Sequence, residues 1–182
     1  LFPYTTLSRS EARLRLVRCA AQLASGIDAL HRAGKLHRDL KPSNVRVTDD
    51  ERVVILDFGL VTDPNSPAGE LAHPHAGTPA YMAPEQALGR ELSPSSDWYA
   101  FGAVLYEALS GHPPYRGTET LLTASKLAGS PLRPSQLQGG EPDELEELCI
   151  ELLDPDPSLR PPGAEILARL RALRGASAPT HA

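Results

Sequence analysis

The segment from Asp97 to Leu109 is apolar on nearly every face of a helix, and this feature constrains the fold more than any other. A helix on the surface of a domain has one apolar stripe and one polar face, whereas a helix that is apolar all round lies inside a domain. Gly111 and the pair Pro113 and Pro114 follow the segment and end the helix. The sequence therefore predicts a central buried helix with other elements packed around it.

The elements predicted around this centre are mainly helices. Ser8 and Glu11 form a capping-box pattern, and Gly34 fits the position that follows a helix, so we predict a long amphipathic helix over residues 9–33. Further helices are predicted near 118–128, near 143–153 with Pro142 as its first residue, and near 163–173. A chain of 182 residues is long enough for one such domain.

A tight β-hairpin is predicted in the first third of the chain. Val45 to Val47 and Arg52 to Leu56 are short β-branched runs on either side of a polar turn. Residues 62–79 are rich in Pro, Gly, Ala and His without periodicity, which indicates a long exposed loop. We therefore predict a mainly α domain over residues 9–174. A connecting segment at 1–8 precedes this domain, and a disordered tail at 175–182 follows it.

Two oxygen-bearing side chains flank the hairpin. Asn44 enters the first strand and Asp57 leaves the second strand. Because antiparallel pairing brings the start of one strand beside the end of the other, we expect these side chains to converge. Mg²⁺ is bound by a few carboxylate or amide oxygens together with phosphate oxygens, which matches this pair. The hairpin thus predicts a magnesium site.

Five motifs in order give the chain a family resemblance. Residues 37–44 read HRDLKPSN, 57–59 read DFG, 77–85 read GTPAYMAPE, 97–102 read DWYAFG and 156–161 read DPSLRP. This series resembles eukaryotic-type (Hanks-type) Ser/Thr protein kinases from about Ser8 to Leu173. The resemblance implies the C-terminal lobe of that fold, which is a helical bundle around a buried central helix with a short β-hairpin at the active site.

The resemblance implies ATP and Mg²⁺ as cofactors and the Ser or Thr hydroxyl of a protein substrate as acceptor. Asp39 would accept or orient the proton of that hydroxyl, and Lys41 would neutralise charge on the transferred phosphoryl group. Asn44 and Asp57 would hold Mg²⁺ against the nucleotide phosphates. Arg46 takes the position under the adenine ring, where the family usually has an apolar side chain. The ATP site would therefore include Lys41, Asn44, Arg46 and Asp57.

Thr78 and Arg38 are assigned to substrate binding and to activation-loop coupling. A Lys two residues after the catalytic Asp is typical of Ser/Thr kinases, and Thr78 fits the Thr that contacts the Asp and the Lys in that class. Arg38 precedes Asp39 as in kinases whose activation loop is ordered by a phosphate. Because residues 67–77 contain no Ser, Thr or Tyr, we hypothesise that Arg38 is paired with Glu70 or solvated and that no central phosphorylation is needed.

A further group of residues is implied to support the site without reacting. They are His37, Phe58, Gly59, Glu85, Asp97 and Arg160. His37 would pack near Phe58, Asp97 would brace the catalytic-loop backbone, and Glu85 would form a buried ion pair with Arg160.

The motifs of the family's N-terminal lobe are absent from this sequence, which has no Gly-rich loop and no Val-Ala-x-Lys strand. We expect that lobe to precede Leu1 in a longer parent, as a partner of this chain, and we expect the chain alone to transfer phosphate poorly. Two alternatives stay open. One is a pseudokinase that acts as a scaffold or interaction module, which the departure at Arg46 favours. The other is a small-molecule phosphotransferase, which is not expected to carry the motif at 77–85.

Composition excludes several classes of partner. The net charge is −5 with no basic run, which argues against nucleic acid, and no apolar run approaches the length of a membrane span. Cys19 and Cys149 lie in apolar patterns without metal-binding spacing, so we predict buried thiols, a reducing compartment and a cytoplasmic location. Three Lys against fifteen Arg indicate a GC-rich bacterial genome.

Two polar clusters are interpreted as solvated surface. His73 and His75 lie in a Pro-rich loop with no third ligand in range, so a metal site is not expected there. The second cluster is acidic and is predicted to form a solvated helix face at Glu141, Asp143, Glu144, Glu146 and Glu147.

Overall fold

The computed structural model describes residues 8–57 and 78–176 and is mainly helical, as predicted. Its elements in chain order are α1 (Arg9–Arg32), a 3₁₀ turn (Pro42–Asn44), β1 (Val45–Val47), β2 (Val53–Ile55), α2 (Pro84–Ala87), α3 (Pro94–Ser110), α4 (Glu119–Ala128), α5 (Pro134–Gln138), α6 (Glu144–Leu152) and α7 (Gly163–Ala176). The two strands form an antiparallel sheet in which Val45 pairs with Ile55. The predicted hairpin is thereby confirmed.

Helix α3 is the buried centre of the domain, as the sequence predicted. Every residue from Ser96 to Tyr106 in this helix is buried. The helix starts at Pro94, earlier than the predicted start at Asp97, because Ser93 caps its N-terminus and Pro94 fits the first turn. It ends at Gly111, whose φ of 83° is readily accessible only to glycine. Helices α1, α5 and α6 pack around it.

Helix α1 leads into the motif at residues 37–44, which begins a few residues after the helix ends. The predicted capping box of Ser8 and Glu11 is present, and Gly34 follows the helix with a φ of 69°. Buried side chains of the helix, among them Ala24 and Ile27, join the core, and the helix packs against α7, α3 and β2. This packing fixes where the chain leaves α1 and therefore where residues 37–44 lie.

The structure also corrects the predictions for α2, α5, α6 and α7. Helices α2 and α5 were not predicted, because each is too short to show a helical period. Helix α6 begins at Glu144 with Asp143 as its N-cap, so Pro142 precedes the helix instead of opening it. Helix α7 continues to Ala176, beyond the predicted end at 173. Gly175 and Ala176, which were predicted to open the disordered tail at 175–182, are therefore helical. Residues 1–7 of the predicted connecting segment and residues 177–182 of the predicted tail lie outside the described residues.

One member of the acidic cluster is not solvated, contrary to the prediction. Glu146 is 5% exposed, and its carboxylate accepts hydrogen bonds from the Ser135 backbone N–H at 2.9 Å and from Ser135 Oγ at 2.6 Å. Ser135 lies in the first turn of helix α5, which was not predicted, so this partner of Glu146 could not be anticipated from the sequence. Cys19 and Cys149 are both buried free thiols, as predicted.

Candidate active site

The loop at residues 37–44 is hydrogen-bonded to the central helix α3 through the carboxylate of Asp97. Asp97 on α3 accepts hydrogen bonds from the backbone N–H groups of His37 and Arg38, both at 2.8 Å, and its Oδ2 lies 2.8 Å from His31 Nε2. Arg38 has a φ of 68°, which a residue with a side chain seldom adopts. The two N–H groups donated to Asp97, which is 1% exposed, hold the backbone in this conformation.

Asp39 lies at the centre of a polar cluster that draws on two parts of the chain. Its Oδ2 accepts from Lys41 Nζ at 2.6 Å, and its Oδ1 accepts from the Thr78 backbone N–H at 2.9 Å and from Thr78 Oγ1 at 3.2 Å. Asn44 Nδ2 donates to the Asp39 carbonyl at 2.9 Å and to its Oδ2 at 3.3 Å. The structure thus brings Asp39, Lys41, Asn44 and Thr78 together.

Asn44 and Asp57 occupy the same end of the hairpin. The Leu56 backbone N–H donates to the Asn44 carbonyl at 2.8 Å, so Asp57 follows directly after the residue that faces Asn44. Asp57 is exposed and has a φ of 60°. The Asn44 side chain donates both of its hydrogen bonds to Asp39 through Nδ2, which leaves the amide carbonyl oxygen as the atom suited to a cation. An amide oxygen and a carboxylate next to each other fit Mg²⁺, which also binds phosphate oxygens and water.

Arg46 and Arg38 were also predicted site residues, but neither belongs to the hydrogen-bonded cluster around Asp39. Arg46 lies on β1 opposite Val54 with an exposed side chain, while its neighbour Val45 is buried. The Arg38 guanidinium is half-buried, and burial lowers its pKa against the opposing effect of Asp97. Its Nε makes no hydrogen bond within the described part of the chain. Glu70, its proposed partner, lies outside the described residues, as do Phe58, Gly59, His73 and His75.

Glu85 and Arg160 form a buried, bidentate ion pair that joins α2 to the segment before α7. Arg160 Nη1 donates to Glu85 Oε1 at 2.7 Å, and Nη2 donates to Oε2 at 2.8 Å. Ser96 Oγ also donates to Glu85 at 2.8 Å. Burial by itself raises the pKa of Glu85, but the hydrogen bonds and the charge of Arg160 hold it below its ordinary value.

Comparison with known proteins identifies the family of this chain. The model of the protein kinase domain matches residues 5–170. The chain belongs to the protein kinase family.

Similar proteins include bacterial kinases that bear the Ser/Thr designation. The chain is 38% identical over 152 residues to serine/threonine-protein kinase AfsK of Streptomyces coelicolor, covering 83% of this chain and 18% of that protein. It is 36% identical over 164 residues to serine/threonine-protein kinase PknA of Mycobacterium tuberculosis, covering 88% of this chain and 38% of that protein. The chain therefore spans a minor part of these kinases, and its resemblance to bacterial Hanks-type Ser/Thr kinases is confirmed.

The described residues contain neither a membrane-spanning helix nor a cluster of metal-ligating side chains. No helix at 8–57 or 78–176 combines the length and apolarity required to cross a membrane. In the same ranges, no three or more His, Cys, Asp and Glu side chains are grouped as a metal site. The Asn44 and Asp57 pair differs from such a group because phosphate oxygens would complete its coordination.

Three contacts around the site of this kinase were not predicted from the sequence. Gln86 Nε2 donates to the Arg38 carbonyl at 2.8 Å, and Tyr81 OH donates to Glu107 on α3 at 2.5 Å. Lys126 on α4 donates to carbonyls of the segment that follows Thr78. A lysine four residues after the apolar Leu122, on the same face of a helix, was the available signal for the third contact.

Proposed function

We propose that this chain forms the C-terminal lobe of an ATP- and Mg²⁺-dependent protein Ser/Thr kinase and carries its catalytic loop. The observation that carries the proposal is the Asp39 carboxylate, which is held by Lys41 on one oxygen and by Thr78 on the other. A carboxylate that is oriented by surrounding donors suits the positioning of an acceptor hydroxyl.

In the proposed reaction, the oxygen of a substrate Ser or Thr bonds to the γ-phosphorus of ATP as the bond to the β-γ bridging oxygen breaks. Asp39 orients the hydroxyl and receives its proton, which passes on to solvent. The Lys41 ammonium, 2.6 Å from Asp39 Oδ2, lies close enough to the acceptor position to offset negative charge on the transferred group. Thr78 keeps the carboxylate from rotating through its two hydrogen bonds to Oδ1.

Asn44 and Asp57 are the residues that would hold Mg²⁺, and the bound ion would neutralise charge on the nucleotide phosphates. The exposed Arg46 would contact the adenine ring through its stem or by stacking its guanidinium on the base. This chain would contact a bound nucleotide from one side only. We therefore further propose that a separate N-terminal lobe with a Gly-rich loop and a Lys completes the ATP site. The two buried free thiols favour a reducing, cytoplasmic setting.

The test uses the full-length protein that contains this chain, incubated with γ-labelled ATP, Mg²⁺ and a basic protein substrate. We expect label on Ser and Thr, loss of transfer with EDTA, and a fall in turnover of orders of magnitude for Asp39→Asn, because the group that orients the hydroxyl loses its charge while the loop is preserved. Asp49→Asn, the same change on the exposed hairpin turn, serves as the matched control.

Three results would decide against the proposal. Label found on Tyr alone would contradict the Ser/Thr assignment, and an unimpaired Asp39→Asn variant would remove Asp39 from the reaction. Binding of ATP without any transfer by the unmodified protein would favour the pseudokinase alternative.

A further inference from the structure

Lys126 is a buried ammonium group that contacts the segment between the catalytic residues and α2. The residue is 1% exposed, and its Nζ donates to the Pro79 carbonyl at 2.5 Å and to the Met82 carbonyl at 2.6 Å. Lysine is almost never fully buried unless it is paired, because removing an ammonium from water is costly. Two charge-assisted hydrogen bonds therefore offset the cost of burial at this position.

The partners of Lys126 are dipoles instead of a carboxylate. Within 8–57 and 78–176, the hydrogen bonds of its Nζ go to two carbonyls, Glu85 acts on it through charge without a hydrogen bond, and the centre of the Tyr99 ring lies 5.9 Å away. Burial lowers the pKa of Lys126 to about 8, so the side chain is still mostly charged at neutral pH. An ammonium paired only with carbonyls is sensitive to where those carbonyls lie, because hydrogen bonds weaken steeply away from their preferred distance and angle.

These carbonyls belong to a turn that leads back to Asp39. The backbone N–H groups of Tyr81 and Met82 both donate to the Thr78 carbonyl, at 3.0 and 3.2 Å, and close the turn. Thr78 in turn donates to Asp39 through its own N–H and hydroxyl. A continuous series of hydrogen bonds thus runs from Lys126 on α4 through the turn to the proposed catalytic carboxylate.

We infer that Lys126 is a positioning residue for the protein substrate, which fixes the turn at residues 78–82 and thereby the place of the substrate peptide relative to Asp39. The inference rests on the proposed kinase function. The contacts of Lys126 are with the turn and not with Asn44, Arg46 or Asp57, so it acts on the peptide side of the site and leaves the nucleotide side unaffected.

The test compares steady-state kinetics of the full-length protein with Lys126→Met, which keeps the length of the side chain and removes its charge and its donors. We expect the KM for a peptide substrate to rise about tenfold and the KM for ATP to stay within about twofold, since the loss of one to two charge-assisted hydrogen bonds falls on the turn. Lys126→Arg, which keeps charge and donors, should recover most of the peptide KM. Leu127→Met, on an exposed neighbour in α4, is the matched control and should leave both values unchanged.

Hydrogen exchange supplies a readout that does not depend on activity. In Lys126→Met, the amides of Tyr81 and Met82 should exchange faster, while the amides of the paired strand residues 53–55 keep their protection. If Lys126→Met does not fold, Lys126→Gln, which retains a donor on a shorter stem, takes its place in both measurements and should show the same two changes.

Failure of this inference is distinct from failure of the proposed function. Unchanged exchange at Tyr81 and Met82 in a folded variant would overturn the positioning role, and so would a rise in the KM for ATP equal to that for the peptide. Absence of phosphate transfer by the unmodified protein would contradict the kinase proposal instead, and hydrogen exchange would still decide whether Lys126 holds the turn.

Discussion

The buried ammonium group of Lys126 makes a contribution to the stability of this domain that increases as the pH rises above neutral. The pKa of Lys126 is lowered from 10.5 to about 8 by burial, against the opposing effect of Glu85. Between these two values the unfolded chain binds more protons than the folded chain, so this residue's contribution to stability rises as the pH rises. Below pH 8, both states are protonated and the folded state carries the full cost of the buried charge.

We therefore predict that the wild-type protein gains stability relative to Lys126→Met on going from pH 7 to pH 9.5, by about 2 kcal/mol from linkage. The measurement is the difference in free energy of unfolding between the two proteins, obtained with denaturant at both pH values. Tyr99 and Tyr115 have raised pKa values and act in the opposite direction, but they are present in both proteins and cancel. A difference that stays constant with pH would show that folding does not change the pKa of Lys126, and one that falls with pH would show that folding raises it; either result would contradict the prediction.

At the scale of residues, the sequence predicted the members of the site better than their supports. Asp39, Asn44 and Thr78 were assigned from motifs, and the structure brings them together. The roles of Lys126 and Glu146 were not predicted, because charged side chains on helices are usually exposed to solvent. The burial of these two residues depends on backbone partners that lie far along the chain. The spacing of Lys126 from Leu122 places the lysine on the apolar face of α4, but it does not show which carbonyls accept its hydrogen bonds.

Among the elements, the contact between α3 and α6 requires a glycine. A Cβ placed on Gly102 would lie 2.7 Å from the Cβ of Leu152, an atom fixed close to the backbone of α6. Alanine is favoured over glycine inside a helix by about 1 kcal/mol. Overpacking a close helix contact lowers stability by about 1 to 3 kcal/mol. We therefore expect the steric overlap to outweigh the gain in helix propensity when Gly102 is replaced by alanine.

We predict that Gly102→Ala lowers the free energy of unfolding by about 1 to 2 kcal/mol in denaturant titrations, since the overlap outweighs helix propensity. Gly175→Ala is the matched control, because among the described residues no atom outside its own helix lies within 4 Å of the Cβ position there. That change on α7 should be neutral or stabilising by less than about 1 kcal/mol. Equal stability of the two variants would mean that α6 can move away from α3 without loss of packing.

The prediction of elements succeeded where a pattern was long. Helices α1 and α3 were predicted from many apolar positions and from capping residues at their ends, and both are present. Helices α2 and α5 comprise four and five residues, so less than two turns of periodicity was available to reveal them. Asp143 rather than Pro142 marks the start of α6 because its side chain accepts the Glu146 backbone N–H, a preference that outweighs the placement of proline.

At the scale of the whole molecule, α3 connects the distant parts of the site. Asp97, in its first turn, holds the catalytic loop, while Ser96 beside it donates to the ion pair of Glu85 and Arg160. The ion pair joins residues 75 positions apart in the chain. The pairing was anticipated from the family resemblance, but its network with Ser96 and the backbone depends on tertiary packing that no local pattern encodes.

The two halves of this ion pair should respond unequally to removal. Arg160 also donates to the carbonyls of Asp154 at 2.8 Å and Ser95 at 3.0 Å, and its guanidinium lies 4.9 Å from the centre of the Tyr99 ring. Without Glu85, therefore, Arg160 keeps several acceptors. Without Arg160, the Glu85 carboxylate is buried with Ser96 Oγ as its remaining side-chain donor, and the segment before α7 loses its anchor.

We predict that Glu85→Ala and Arg160→Ala each lower the free energy of unfolding by about 3 to 5 kcal/mol, because each leaves a buried charge without its ionic partner. Arg160→Ala should be the more damaging, because Glu85 then has fewer remaining partners than Arg160 has in Glu85→Ala. The double variant should be less destabilised than the sum of the two, which a double-mutant cycle of denaturant titrations measures. Glu151→Ala, which breaks the exposed pair with Arg169, should change stability by less than about 1 kcal/mol and is the control. The loss in Arg160→Ala should also shrink as the pH falls towards 5, since the abandoned Glu85 carboxyl then becomes protonated and neutral. Additive effects, or single variants as stable as the wild type, would contradict a coupled buried pair that ties α2 to the segment before α7.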